Sequence, residues 1–302
     1  MSDLYGFMNA LKPVGCTSHD VVEMIRHCAG GVKTGHAGTL DPCASGVLVV
    51  MLGAATRLSR YMVASDKRYR AEFTLGIRTD TYDNEGRVVS RKPVQTVSDI
   101  DVRQQLAAMT GCLKMTPPPY SAVRVDGRRS YELARAGESA ELEPRTVRIY
   151  GADPVAYHPG VHPRVLVDIK CSSGTYIRSI AQMLGDRLGT GAFMSGLVRM
   201  GVGSFDIDKA CSLPSIEHDG VREHLVAPEA ALDMPDHQVS GDELERARHG
   251  NRVYCDVGES DSRYHMMVSA SGLVGIAEIK RDERGTYLQP RTVLPTGDNT
   301  CE

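Results

Sequence analysis

Residues 35–46 read GHAGTLDPCASG and residues 47–52 continue as VLVVML. A single carboxylate, Asp41, sits with Pro42 and His36 in a glycine-lined turn, and an all-apolar segment follows. That segment, Val47–Leu52, is short enough and apolar enough to read as a fully buried strand. The lone aspartate against it poses a chemical question. Acid/base catalysis normally uses two carboxylates, phosphate sites use lysine, and metal sites need several ligands. What remains is a plain Asp-Pro turn, in which Asp41 caps backbone N–H groups, or a lone nucleophile.

Working outward, residues 5–12 read as a short strand ending at Pro13-Val14-Gly15. Thr17–Asp20 offer N-cap residues for a helix carrying Val21, Val22, Ile25 and Cys28 on its apolar stripe. Ala54–Met62 has helical spacing. Tyr69–Ile77 is the clearest strand, with Tyr69, Ala71, Phe73, Leu75 and Ile77 on one face and Arg70, Glu72 and Thr74 on the other. RTDTYDNEG (78–86) is turn-rich, Val102–Met109 reads as helix, and MTPPPYSA (115–122) is extended. RSYELARAG (129–137) reads as a helix stopped by Gly137. Val165–Cys171 alternates as a strand, and Ile177, Ile180, Ala181, Leu184 and Leu188 follow at helical spacing. The pattern predicts an α+β domain over residues 1–235. Around Leu213–Asp236 the charge turns acidic. Residues 236–302 then carry short strands (His265–Ser269, Leu273–Ile279, Tyr287–Leu288), a small β-rich domain.

The 302 residues are 41% hydrophobic and 24% charged, the composition of a soluble globular chain long enough for about two domains. No window approaches the roughly 20 apolar residues that span a bilayer, and the N-terminus lacks a signal-peptide pattern. The eight cysteines form no CxxC pair and read as reduced thiols of a cytosolic protein. The net charge of −3 argues against a nucleic-acid partner, but its distribution softens that. Residues from Asp236 onward carry 8 basic and 12 acidic side chains, leaving 27 and 26 for the remainder. Within the latter, Arg57, Arg60, Lys67, Arg68 and Arg70 face only Asp66, and phosphate binding depends on such local patches.

Several enzyme classes drop out. GGVKTG (30–35) lacks the P-loop spacing, no HExxH motif occurs among the histidines, and no GxSxG elbow exists. Tyr69 by itself reads as a core aromatic, or as a ring that stacks beneath a flipped base. Arg178 falls in the first turn of its helix, where a cation opposes the positive end of the macrodipole. It is either solvated or held by an anion, and its apolar neighbours Tyr176, Ile177 and Ile180 favour pairing with a carboxylate such as Asp41.

Four motifs occur in fixed order: GHAGTLDPCASGVL, DKRYRAEFTLG with RTDT, PPYSA followed by GRRSYELARAG, and CSSGTYIRSIAQMLG. Together they resemble the TruB family of bacterial tRNA pseudouridine synthases, from about Leu11 to Arg199. The last ~65 residues resemble the PUA-like module that ends many members, and for the first domain the resemblance implies a mixed, largely antiparallel sheet with flanking helices and a catalytic cleft. The resemblance implies that Asp41 is the catalytic aspartate, that Tyr69 stacks on the target uracil, and that Arg178 pairs with the aspartate. It implies that His36 enters the RNA loop as bases flip, and that Lys12, Tyr176 and Leu197 occupy active-site positions. Arg68 and Arg199 complete the expected RNA contacts. The implied substrate is the T-loop uridine at tRNA position 55, read through the shape of the T arm. No cofactor, metal, membrane or protein partner is implied, and the chain is expected to be a cytoplasmic monomer. Ser173, Met115, Cys43 and Ser45 depart from the family's commoner residues. Two rivals stay open: a nucleic-acid N-glycosylase, which would release the flipped base, and a non-catalytic RNA-binding protein.

Overall fold

The computed structural model describes residues 4–121, 123–125, 127–130, 133, 142–255 and 262–295. The buried VLVVML run lies in β3 (Ala44–Leu52), which pairs antiparallel with β1 (Gly6–Lys12) and with β2 (Thr34–His36). Its side chains alternate between two cores: Val47, Val49 and Met51 enter one, and Leu48, Val50 and Leu52 the other. A strand covered on both faces has no polar side to present, so its sequence is apolar throughout.

Helix α1 (Ser18–Cys28) starts at a capping box, Thr17 with Asp20, and buries Val21, Val22 and Ile25. Cys28, expected on that stripe, is exposed at the last turn. The stretch expected as one helix from Ala54 splits into a 3-10 segment, Gly53–Leu58, and α2 (Ser59–Ala64). Strand β4 (Lys67–Leu75) buries Tyr69, Ala71, Phe73 and Leu75 and exposes Arg68 and Arg70. It stops short of Ile77, because Gly76 has φ +82° and a Cβ there would lie 2.4 Å from the Lys92 carbonyl. Ile77 instead opens the hairpin of β5 (Ile77–Thr79) and β6 (Val88–Arg91).

Helix α3 (Asp99–Ala107) begins three residues before the expected Val102, at a second capping box made by Ser98 and Asp101. The helix expected over 129–137 lies largely outside the described residues. Then come β7 (Gly111–Met115), β8 (Arg145–His158), β9 (Arg164–Cys171), α4 (Ile177–Arg187), β10 (Ala192–Val202) and β11 (Cys211–Ser212).

The large sheet runs β11-β1-β3-β10-β4-β9-β8-β7. Only the β1–β11 and β3–β10 pairs along this path are parallel. The mixed, largely antiparallel α+β architecture expected from the sequence is therefore present. The parallel contact matters for function, because it sets the N-terminal end of β3, where the Asp41 loop enters, beside Leu197–Arg199 of β10. Across that sheet Lys12 faces Gly46, Gly46 faces Arg199, and Arg199 faces Tyr69. Gly46 has φ +108° and lies so close to Arg199 that a Cβ would be 2.3 Å from its carbonyl oxygen. Only glycine fits there.

A second sheet is formed by β12 (Asp236–Gln238), β13 (Val253–Tyr254), β14 (Tyr264–Ser269), β15 (Gly272–Asp282) and β16 (Gly285–Val293), in the order β12-β14-β15-β16-β13. It is joined by α5 (Gly241–Arg248), which hydrophobic spacing did not reveal. Met266, Leu273, Ile276 and Leu294 of this part share one core with Phe7, Met51, Tyr61 and Ala231. Among the described residues no helix is long and apolar enough to cross a membrane.

Candidate active site

Asp41 sits at the apex of the loop between β2 and β3, and three buried groups fix that loop. The Ser18 hydroxyl, at the start of α1, donates to the Leu40 carbonyl at 3.0 Å and accepts from the Leu40 N–H at 2.8 Å. The Lys12 ammonium donates to the carbonyls of Ala44 at 2.6 Å and Pro13 at 2.9 Å. The Arg199 guanidinium donates to Val47 at 2.7 Å, Gly38 at 3.0 Å and Thr39 at 3.4 Å.

These contacts correct two expectations. Lys12, expected among the substrate-contacting active-site positions, is 0% exposed, and Arg199, expected to touch RNA, is 1% exposed. Their cationic heads are spent on carbonyls of the chain itself, which a buried charge needs in place of water. They hold the aspartate loop from its two sides.

The Asp41 carboxylate meets Arg178 side-on, Nε to Oδ2 at 3.0 Å and Nη2 to Oδ1 at 3.2 Å. Arg178 comes from the first turn of α4 and its side chain is 8% exposed, whereas that of Asp41 is 32% exposed. The anion that holds Arg178 against the helix dipole is thus double, because Asp83 approaches Nη1 at 3.3 Å. The Thr81 and Tyr120 carbonyls take further guanidinium N–H groups at 3.3 Å and 3.1 Å. Asp83 is 2% exposed and accepts at Oδ1 from the Thr81 hydroxyl and the Glu85 N–H. In the sequence Asp83 looks like part of a turn-rich loop. The loop's two aspartates and two threonines were its only signal.

Burial pushes the Asp41 carboxyl above the usual carboxylate range, the Arg178 cation pulls it back, and Asp83 adds to the rise. Tyr69 is 9% exposed and shares a core with Leu40, Ala44 and Leu197, with the Arg199 cation nearby. Burial raises its phenol pKa, so it stays neutral. His36 ends β2 half-buried, and burial and the Arg199 charge lower its pKa. Tyr176 precedes α4, with the Arg145 guanidinium 5.8 Å above its ring. Arg68 is not part of this group. Strand alternation turns it away from Tyr69, and it pairs on the surface with Asp206 at 2.5 Å.

Cys43, Asp83 and Glu85 place possible metal-ligand atoms within 4.8 Å of one another. Asp83 is committed to Arg178, and burial with neighbouring carboxylates pushes the Cys43 thiol up to about 12. The set therefore offers a protonated thiol and one free carboxylate, a poor nest for an ion. What the geometry can do is orient a single carboxylate. Arg178 fixes its plane with two contacts, leaving other lone pairs towards the open side of the loop.

Comparison with known proteins supports a common origin for this arrangement. The model of the TruB family pseudouridylate synthase N-terminal domain matches residues 26–177. A Moorella thermoacetica protein named tRNA pseudouridine synthase B is 40% identical over 302 residues, covering 96% of this chain and 99% of that one. Its Synechocystis counterpart of the same name is 37% identical, covering 96% and 100%. Among solved structures, an H/ACA RNP bound to a substrate RNA containing 2'-deoxyuridine aligns with TM-score 0.72. That match covers 97% of this chain and 86% of the other at 23% identity, and so speaks to the fold. With Asp41, Tyr69 and Arg178 inside or one residue beyond the matched span, and relatives aligned end to end, the chain belongs to the TruB family of pseudouridylate synthases.

Proposed function

We propose that this chain is a tRNA pseudouridine synthase that isomerises the T-loop uridine at position 55, with Asp41 as its catalytic group. The observation that carries the reading is the two-point pairing of Asp41 with Arg178 in a loop fixed by Ser18, Lys12 and Arg199. The reaction needs one covalent partner and no outside atom. The N1–C1′ bond breaks, the uracil turns, a C5–C1′ bond forms, the C5 hydrogen leaves as a proton, and N1 gains a proton.

Asp41 meets the electron-poor sugar carbon as N1 departs, and its action through C1′, through a glycal or through C6 fits the same placement. The Arg178 fork holds the carboxylate ionised and in plane while the base is exchanged. The base must leave its stack, which costs a few kcal/mol and calls for a wedge and a platform. In this reading His36 is the wedge, neutral because of its lowered pKa, and the Tyr69 ring is the platform. Tyr176 and Leu197 line the base, and Arg68 meets phosphate at the margin. The division at residue 235, with residues 236–302 as a PUA-like RNA-binding part, belongs to the same proposal. So do action as a monomer without a protein partner and a cytoplasmic place.

The test is release of tritium from tRNA carrying C5-tritiated uridine, without metal or nucleotide. The expected result is a plateau near one equivalent per tRNA with the RNA chain intact. Free tritiated uracil and an abasic ribose would make the protein a glycosylase instead, and no release from folded protein would leave only binding.

A further inference from the structure

Among the described residues one non-glycine side chain sits on a left-handed backbone: Tyr82, with φ +65°. Bulky L-residues rarely adopt that region, and where they do the surroundings must enforce it. The enforcement is visible. The Tyr82 N–H turns back to the Thr79 carbonyl at 3.4 Å, and the Tyr82 carbonyl accepts from the Met194 N–H of β10 at 2.9 Å. The Thr79 hydroxyl donates to the Asp83 carbonyl at 2.7 Å. Farther out, the loop is closed by Asp80, which accepts the Arg87 N–H at 2.8 Å.

The position of this residue is informative. Thr81, on one side of it, gives its carbonyl to Arg178, and Asp83, on the other side, gives its carboxylate to the same guanidinium group. Thr81 also bonds the Asp83 carboxylate through its hydroxyl. Both groups face the buried Arg178 only because the chain reverses its twist at the residue between them. In an ordinary right-handed or extended conformation at residue 82, Asp83 would leave Arg178, and Asp41 would remain as its sole anion.

We propose that Tyr82 is a positioning residue whose left-handed backbone, rather than its ring, aims Asp83 and the Thr81 carbonyl at Arg178 and so sets the orientation of Asp41. The inference rests on the reading of Asp41 as the catalytic group. It assigns the strained backbone a place in the site three links away from Asp41: Tyr82 sets Asp83, Asp83 steadies Arg178, and Arg178 orients Asp41.

Substitution at residue 82 separates backbone from ring. Glycine and asparagine accept positive φ readily, alanine less so, and β-branched isoleucine least. The variants Tyr82→Gly, Tyr82→Asn, Tyr82→Ala and Tyr82→Ile are compared in single-turnover and steady-state tritium release from full-length protein. Expected are kcat values within about threefold of wild type for Gly and Asn, and a fall of at least about tenfold for Ile, since small misplacements at a reacting group are amplified. KM for tRNA should stay within about twofold throughout, because the loss is in orientation and not in uniform binding. Should the Ile variant not fold, the Ala variant reads the same order, with kcat below Gly and Asn. A Gly variant as impaired as the Ile variant would give the role to the ring and overturn the proposal, as would equal kcat in all four. Absence of tritium release from wild-type protein would strike the proposed function itself, which keeps the two failures apart.

Discussion

Asp41 and Arg178, 137 positions apart in sequence, meet at two points, an ion-pair contact of 3.0 Å from Nε to Oδ2 and a hydrogen bond of 3.2 Å from Nη2 to Oδ1, and the arginine is the more buried partner. The pair is asymmetric. Arg178 has four protein acceptors around it, whereas Asp41 keeps an open side. Lysine at position 178 would retain the charge but could not span both carboxylate oxygens and both loop carbonyls. Arg178→Lys is expected to lower kcat by on the order of 10²-fold while tRNA affinity changes little. Asp41→Asn, which keeps shape but removes the nucleophile, should lower it by on the order of 10⁴-fold or more. Filter binding and tritium release on the same preparations check both. Near wild-type turnover in either variant would remove that residue from the mechanism.

The electrostatics give a pH prediction. Asp41 must be ionised to act, so kcat falls as pH drops through its pKa. Burial raises that pKa and the Arg178 cation lowers it. A neutral replacement, Arg178→Met, removes the lowering influence, and the acid limb of the residual kcat should move to higher pH. Arg178→Lys keeps the charge and should leave the limb near its wild-type position. A limb that does not separate Met from Lys would show that Asp41 is not the group titrating.

The loop and the strand of the opening motif were legible because their signals are local: Asp-Pro, glycines, and an unbroken apolar run. Tyr69 was legible because β4 alternates. Strand β10 was missed, since bulges between Met194 and Gly196 and between Arg199 and Gly201 break its alternation. The true roles of Lys12 and Arg199 were also hidden. A cation that bonds carbonyls from distant loops looks, in sequence, like any cation available to phosphate. Asp83 was hidden for the opposite reason, because aspartates in a glycine-terminated loop usually make turns. Its burial depends on Arg178, 95 residues away, and no periodicity reports that.

Glu278 gives a stability prediction in the second sheet. Its carboxylate accepts from Arg291 at 2.8 Å and from Arg263 at 2.7 Å, with Lys280 at 3.8 Å. The Arg291 and Arg263 hydrogen bonds hold its pKa at about 2, down from 4.5. The group is deprotonated in the folded chain where the unfolded chain binds a proton. Its contribution is therefore complete above pH 4.5 and is lost as the pH falls towards about 2. Glu278→Gln should flatten the pH dependence of urea-unfolding stability in that window and leave less stability at neutral pH. Parallel curves for the two proteins would mean that solvent screens these pairs and that the folded chain does not hold the Glu278 carboxyl below its ordinary value.

Removal of residues 236–302 tests whether the second sheet is separable. The charge change near Asp236 suggests an independent module, and such a module could be cut off with the remainder left folded. The packing argues otherwise. Met266, Leu273, Ile276 and Leu294 lie in one core with Phe7, Met51 and Tyr61, and Met51 belongs to the strand that leaves the Asp41 loop. Tyr61 also meets the Tyr264 ring edge-on at 5.3 Å, and its hydroxyl lies 3.1 Å from that of Thr292. Each large apolar side chain uncovered costs about 1.5–3 kcal/mol, so losing this cover removes several kcal/mol from a fold whose total margin is about 5–15 kcal/mol. The truncated chain is expected to melt well below the full-length protein and to aggregate through the uncovered face. Its tritium release should fall first in proportion to the unfolded fraction, with a higher KM for tRNA in the fraction that stays folded. Thermal unfolding followed by circular dichroism, with activity measured below the melting point, distinguishes the two. A truncated protein that melts as the whole chain does would show that the two parts are separable and overturn the stability argument from the shared core.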